Sequence, residues 1–166
     1  VEQASQAFDA ITYQKGEAVI RMLEGYVGED AWRTGVRAYI KAHAYGNTVS
    51  DDLWKAVETA AGKPITAIAH DFTLQPGVPL IRVEGGACQG GKQVLTLTQG
   101  EFSKDFPDKA PLSWRGPVNA KALDGSTVAK TVVEGGKARR TVEGWGAVVV
   151  NCEEPLSDEE LLTVTQ

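Results

Sequence analysis

The sequence predicts an α+β chain in two parts, a helical stretch followed by an antiparallel β-sandwich. Three observations carry this. Up to Gln75 the apolar residues recur at the three-to-four-residue spacing of amphipathic helices. From Pro79 they alternate in short runs separated by turn residues. Between the two regimes stands Gln75-Pro76-Gly77, a break that suits neither element. The division reads 1–77 for the helical part, 78–153 for the sandwich and 154–166 for a tail that opens a further helix.

The first helix has apolar residues at Ile11, Ala18, Val19, Met22, Leu23 and Tyr26, with Lys15, Glu17, Arg21 and Glu24 on the other side. Tyr13 falls where the chain enters this helix, off the apolar stripe. Gly16 lies within the first turns, where glycine costs roughly 1 kcal/mol against alanine, so it is expected to mark close approach by another backbone. Gly25 and Gly28 punctuate, and Glu29-Asp30 supply the acidic groups that a helix amino end favours. Trp32, Val36, Tyr39 and Ile40 form the next stripe, running out near Ala44, and Tyr45-Gly46-Asn47-Thr48 makes the turn. Ser50 is the expected N-cap of a third helix with Asp51 and Asp52 in its first turn. Leu53, Val57, Ala60 and Ala61 form its buried face, and Gly62 stops it. Pro64 suits the first position of a fourth helix, in which Ile65, Ile68 and Phe72 point one way.

About seven strand-like runs follow, at Leu80–Glu84, Gln93–Gln99, Leu112–Arg115, Val118–Leu123, Val128–Glu134, Ala138–Glu143 and Ala147–Cys152. Asp124-Gly125 and Gly135-Gly136 are hairpin-type breaks. In the tail, Ser157-Asp158-Glu159-Glu160 before Leu161-Leu162 has the form of a capping box. Trp32 and Trp54 are expected in helix cores, Trp114 and Trp145 in the sandwich.

Composition narrows the function. Apolar residues make up 42% and charged residues 23%, the balance of an ordinary globular chain. No apolar run approaches the roughly 20 residues of a membrane span, and Val1-Glu2-Gln3-Ala4-Ser5 lacks the basic start and apolar core of a signal peptide. A net charge of −5 without long like-charge blocks argues against a nucleic-acid partner. The one dense basic spot, Lys137 with Arg139-Arg140 after Gly135-Gly136, fits the solvated side of a hairpin. Gly86 to Lys92 nearly spells a phosphate-binding loop. It fails because Gln93 replaces the Ser or Thr and a strand-like run follows where a helix amino end is required. No G-x-S-x-G elbow occurs. Cys88 and Cys152 either pair or stay free; a bridge closing that loop would contribute about 4 kcal/mol in the chain-entropy model and favour an oxidising, extracytoplasmic compartment.

Three blocks in order carry a family resemblance. Tyr13-Gln14-Lys15-Gly16 followed by Val19-Ile20-Arg21-Met22-Leu23 resembles the Y-x-K-G-x-x-V-x-x-M-L block of the aminopeptidase N family of zinc metallopeptidases, the gluzincins. Tyr45-Gly46-Asn47-Thr48 with Asp52-Leu53-Trp54, and Phe72-Thr73-Leu74-Gln75-Pro76-Gly77-Val78-Pro79-Leu80-Ile81-Arg82-Val83, resemble the next two. Gly146 to Asn151 is similar to the closing G-x-x-x-V-N strand of the family's sandwich, without the usual aromatics. The resemblance implies that residues 1–77 are the helical carboxyl-terminal end of a catalytic domain, and that a large helical region follows the sandwich.

It also implies a chemistry. In the family, zinc and its bound water attack the peptide carbonyl next to a free amino terminus, and a tyrosine hydroxyl stabilises the tetrahedral oxyanion; Tyr13 is the matching position. A phenol suits that task, since its O–H donates to developing negative charge and its reference pKa is about 10. Zinc is held in the family by H-E-x-x-H and a further glutamate, with the Glu of the motif as general base. That motif does not occur in this sequence. The histidines, His43 and His70, are spaced too far apart for a single-helix metal pair and read as surface or packing residues. The expectation is thus a piece of a zinc aminopeptidase whose substrates are peptides with a free amino terminus. It would contribute Tyr13 but no zinc ligand, would depend on the rest of its polypeptide, and would be inactive alone. It also anticipates an exposed apolar face on the helices. A stand-alone binding or scaffold module without a peptidase core is the alternative, told apart by whether the coding sequence upstream of Val1 continues in frame into H-E-x-x-H.

Overall fold

In the computed structural model a single turn of π-helix, Ile11–Lys15, opens directly into α1 (Gly16–Val27). The residues described are 11–86, 92–106, 110–122, 127–135, 137–143 and 148–150. The chain divides into two compact units, Val1–Gly77 and Val78–Gln166.

In the first unit, α1 buries Val19 and Leu23, four residues apart on one face. Gly28 ends it with φ 95 and leads at once into α2 (Glu29–Ala42). The Lys63 ammonium donates to the Tyr26 carbonyl at 3.0 Å and lies 5.0 Å from the centre of the Tyr26 ring, satisfying an acceptor that the last turn leaves open. The α2 stripe is only half-buried: Gly35 alone of this helix is buried, and Ile40 is 59% exposed. Trp32, expected in a core, is half-buried too.

The glycine that admits another backbone is Gly35 and not Gly16. A Cβ at Gly16 would meet nothing within 4 Å among the described residues, whereas one at Gly35 would lie 2.6 Å from Val57 Cα. That contact joins α2 to α3 (Ser50–Ala61), which buries Trp54 and Val57 while Ala60 stays exposed. Ser50 is not the N-cap. Val49 holds that position, and the work is done by Asp52, whose carboxylate accepts from Val49 N–H at 3.0 Å and from the Thr48 hydroxyl at 2.9 Å. Those two donors hold the Asp52 carboxyl below its ordinary pKa. Gly62 ends α3 in the left-handed conformation, φ 62, as its position predicts.

The fourth helix, α4 (Thr66–Thr73), starts two residues later than Pro64 suggested. Its amino end is satisfied from the preceding helix: the Glu58 carboxylate accepts from Ile65 N–H at 2.8 Å and Thr66 N–H at 2.9 Å. Ile65, Ile68, Ala69 and Phe72 turn inward together.

The second unit is two three-stranded antiparallel sheets, β1 (Val78–Gly85), β2 (Lys92–Phe102) and β5 (Lys137–Glu143) in the order β1-β2-β5, and β3 (Arg115–Ala122), β4 (Thr127–Glu134) and β6 (Val148–Val150) in the order β4-β3-β6. Period-two alternation on β2 turns Leu95, Leu97 and Gln99 inward. Leu97 meets Val118 and Val133 of the other sheet, with Ile81 packed against them. Trp114 is 1% exposed beside this core.

Two strand expectations are corrected. The runs at Leu112–Arg115 and Val118–Leu123 give one strand, β3, preceded at 110–114 by a segment outside any strand, in which the Leu112 and Trp114 backbones bond side chains of β2. Pro117 is tolerated in β3 because only β4 pairs with it there among the described residues; β6 reaches no further than Ala120. Gly135, φ 43, does not turn a hairpin: β4 and β5 lie in different sheets, so it begins a crossing from one sheet to the other. Cys88, Trp145, Cys152, the tail and its capping box, and the Asp124-Gly125 break lie outside the described residues.

The segment before β3 is held by β2. The buried Gln99 amide donates to Trp114 O at 2.8 Å and Val133 O at 3.1 Å and accepts from Trp114 N–H at 2.8 Å. Two positions on, the Glu101 carboxylate accepts from Leu112 N–H at 2.9 Å.

Two predictions follow from these bonds. Thr66 and Ile65 N–H groups hold the Glu58 carboxyl below its ordinary pKa. Its stabilisation is therefore full above the unfolded-state value of about 4.3 and is lost as pH falls through the lower folded value. Glu58→Gln is expected to cost about 1 kcal/mol at neutral pH and to flatten the acid limb of stability, read from urea unfolding across pH 3 to 7. Gln99→Leu leaves three buried backbone groups without their partner and is expected to cost on the order of 3 kcal/mol; an unchanged urea midpoint would contradict the bridging role.

Candidate functional site

The start of the first helix is open on one side and anchored on the other. A π-turn is wider than an α-turn and shifts the side chains it carries off the stripe that follows. Tyr13, in the middle of this turn, is 59% exposed and is not sealed in the helical core. Gln14, Gly16, Glu17 and Ala18 are exposed as well, while Val19 and Leu23, one and two turns on, are buried. Lys15, at the end of the π-turn, is half-buried and donates from Nζ to the Gly77 carbonyl at 3.3 Å, tying the helix entrance to the end of this unit. Glu17 and Arg21 pair at 3.3 Å in full view of solvent, an interaction of small energetic worth.

The two histidines are engaged elsewhere. His70 Nε2 lies 2.7 Å from Asp51 Oδ1, linking α4 to α3. The His43 ring packs against Tyr39 at 5.4 Å between centroids, just past the end of α2. Among the described residues no group of three or more His, Cys, Asp or Glu side chains could hold a metal ion. The zinc that the resemblance implies therefore finds no ligand set in them, and no chemistry of this chain is routed through it.

Other surfaces of the first unit are apolar or mixed. Ile40 on α2 and Tyr45, Val49 and Leu74 in the connections between or after the helices are exposed. Tyr45 adopts φ 61, a conformation costly for a non-glycine residue, in the turn that Gly46 N–H closes on His43 O at 3.0 Å. A shallow depression is floored by Trp32 and Val36 and edged by Glu24, Glu29, Arg33 and Arg37. The Arg33 guanidinium in it is already paired with Glu29. No described helix is long and apolar enough to cross a membrane.

Sequence reasoning placed Tyr13 but missed the tether from Lys15, the Glu58 cap and the Gly35 contact. A glutamate four residues before the helix-ending Gly62 was the available signal for the cap. The Y-x-K-G block marks Lys15, but nothing local in it points to Gly77 as its partner.

Comparison with known proteins bears on the same residues. Residues 1–72 match the model of the peptidase family M1 domain. The chain is 40% identical over 104 residues to tricorn protease-interacting factor F2 of Thermoplasma volcanium, covering 63% of this chain and 13% of that protein. It is 42% identical over 100 residues to aminopeptidase M1 of Arabidopsis thaliana, covering 60% and 11%. It is 40% identical over 101 residues to leucyl aminopeptidase of Saccharolobus solfataricus, covering 61% and 12%. Among solved structures, Legionella pneumophila aminopeptidase A in complex with aspartic acid superposes with a TM-score of 0.64 at 14% identity, over 87% of this chain and 17% of that one, a likeness of fold. The chain thus spans only about an eighth of the length of these relatives. The Y-x-K-G block, the helices that follow it and the family match fall on one stretch of sequence, and residues 1–72 belong to the M1 peptidase family.

Proposed function

We propose that this chain is the part of a zinc-dependent aminopeptidase that presents an oxyanion-stabilising hydroxyl, that of Tyr13, in a protein that releases amino-terminal residues from peptides. The observation that carries the reading is the placement of Tyr13: it stands in the Y-x-K-G block within the matched stretch, 59% exposed on a π-turn at the open end of α1. There its O–H donates a hydrogen bond to the carbonyl oxygen of the scissile peptide as that oxygen takes up charge. A donor held in place before the reaction stabilises the transition state without a reorganisation cost. The relatives named as aminopeptidases support the reaction class. On the same reading, residues 1–77 are the end of the catalytic domain, 78–153 the sandwich after it and 154–166 the start of a helical region. Zinc, the general base and the group that binds the substrate amine then come from the rest of the polypeptide.

Tyr13→Phe in the full-length protein is expected to leave zinc content unchanged and to lower turnover about a hundredfold or more; turnover at the wild-type level would return Tyr13 to a packing role. The purified chain of 166 residues is expected to release nothing from an aminoacyl anilide with zinc added, and measurable zinc-dependent turnover would refute the dependence on the rest of the protein.

A further inference from the structure

We propose that Lys15 is a positioning residue, which sets the aim of the Tyr13 hydroxyl by pinning the π-turn to the Gly77 carbonyl. The inference rests on the catalytic reading of Tyr13 and goes one step beyond it.

The π-turn needs such an anchor. Of residues 13–18, Tyr13, Gln14, Gly16, Glu17 and Ala18 are all exposed and Lys15 is half-buried, and Val19 is the next residue and is buried. Gly16 contributes no side chain, and among the described residues a Cβ there would meet nothing within 4 Å. Burial of side chains thus fixes α1 from Val19 onward, and at residues 13–18, none of them buried, Lys15 supplies a polar tie. It lies two residues after Tyr13, at the last position of the π-turn, and its ammonium donates to an oxygen 62 residues away in sequence, at 3.3 Å. The acceptor is itself fixed by an unusual backbone: Gly77 has φ 81, which a side chain would strain, so the carbonyl is carried by a residue suited to that conformation. A bond between a cation and a carbonyl is stronger than one between neutral groups. Placed beside Tyr13 it restrains rotation of the turn about the helix axis, the motion that would swing the phenol off target. Positional errors on the order of 1 Å at a reacting centre cost about a hundredfold in rate, so a modest bond at this point has leverage on turnover.

The test uses the full-length protein with four variants: Lys15→Met, Lys15→Arg, Tyr13→Phe, and the double variant Lys15→Met with Tyr13→Phe. Helix content and zinc content of each are compared with the wild type. A positioning role predicts that Lys15→Met lowers kcat about tenfold with KM little changed, because only the transition-state contact is disturbed. Lys15→Arg, which keeps a cationic donor, recovers most of the loss. In the Tyr13→Phe background the Lys15 substitution has no further effect, since the group it aims is gone. Should Lys15→Met lower helix content, Lys15→Gln is read by the same criteria. If Tyr13→Phe is slow but Lys15→Met turns over within about twofold of wild type, the positioning role falls and the catalytic reading of Tyr13 stands. If the two substitutions multiply, Lys15 acts independently of Tyr13 and the proposal is overturned. If Tyr13→Phe is as fast as wild type, the catalytic reading fails and the proposal with it.

Discussion

The helical unit depends on how closely α2 can approach α3. With no side chain at Gly35, the backbone of α2 comes down onto Val57, and a Cβ at that position would overlap Val57 Cα at 2.6 Å. Helix pairs pack about 8 to 10 Å apart according to the size of the contact residues, and glycine sets the near end of that range. From that seat α3 reaches the rest of the unit. Trp54 and Val57 enter the core, Glu58 caps α4, Asp51 meets His70 on α4, and Asp52 closes the turn that leads in from α2. All three of these polar links are carboxylates, and Glu58 and Asp52 receive N–H or O–H groups near helix starts, where the exposed backbone donors and the helix dipole both favour negative charge.

The sandwich is closed by a different device. Its apolar contact between sheets is small among the described residues, centred on Leu97, Val118 and Val133. Beside it the Gln99 amide serves as a short piece of peptide ladder: it exchanges a pair of hydrogen bonds with Trp114, as a neighbouring strand would, and adds a third to Val133 on the opposite sheet. A buried amide with three partners of good length fixes the register between the sheets, which a purely apolar contact would leave looser.

These two scaffolds give the functional reading its physical sense. An oxyanion donor has to be both accessible and fixed, and the two demands conflict on a single helix. On the proposed function the chain would meet them in succession along α1: Val19 and Leu23 are buried in the body of the helix, and the π-turn ahead of it carries the exposed Tyr13.

The sequence by itself determined the order and type of the elements. Periodicity of 3.6 and then 2, the stop at Gln75-Pro76-Gly77 and the left-handed Gly62 are properties of neighbouring residues, and so they can be read without a fold. The Y-x-K-G block likewise marked Tyr13 from its neighbours alone. What only the tertiary structure decided are the pairings across long loops. Gly16 and Gly35 look alike in sequence, yet among the described residues only Gly35 meets another helix. Gly135 resembles a hairpin turn until its two strands prove to lie in different sheets. Glu58, Gln99 and Lys15 each satisfy backbone groups 7, 15 and 62 residues away, and their partners exist only after the chain has folded, because no local pattern encodes which distant carbonyl or N–H will be left without a bond.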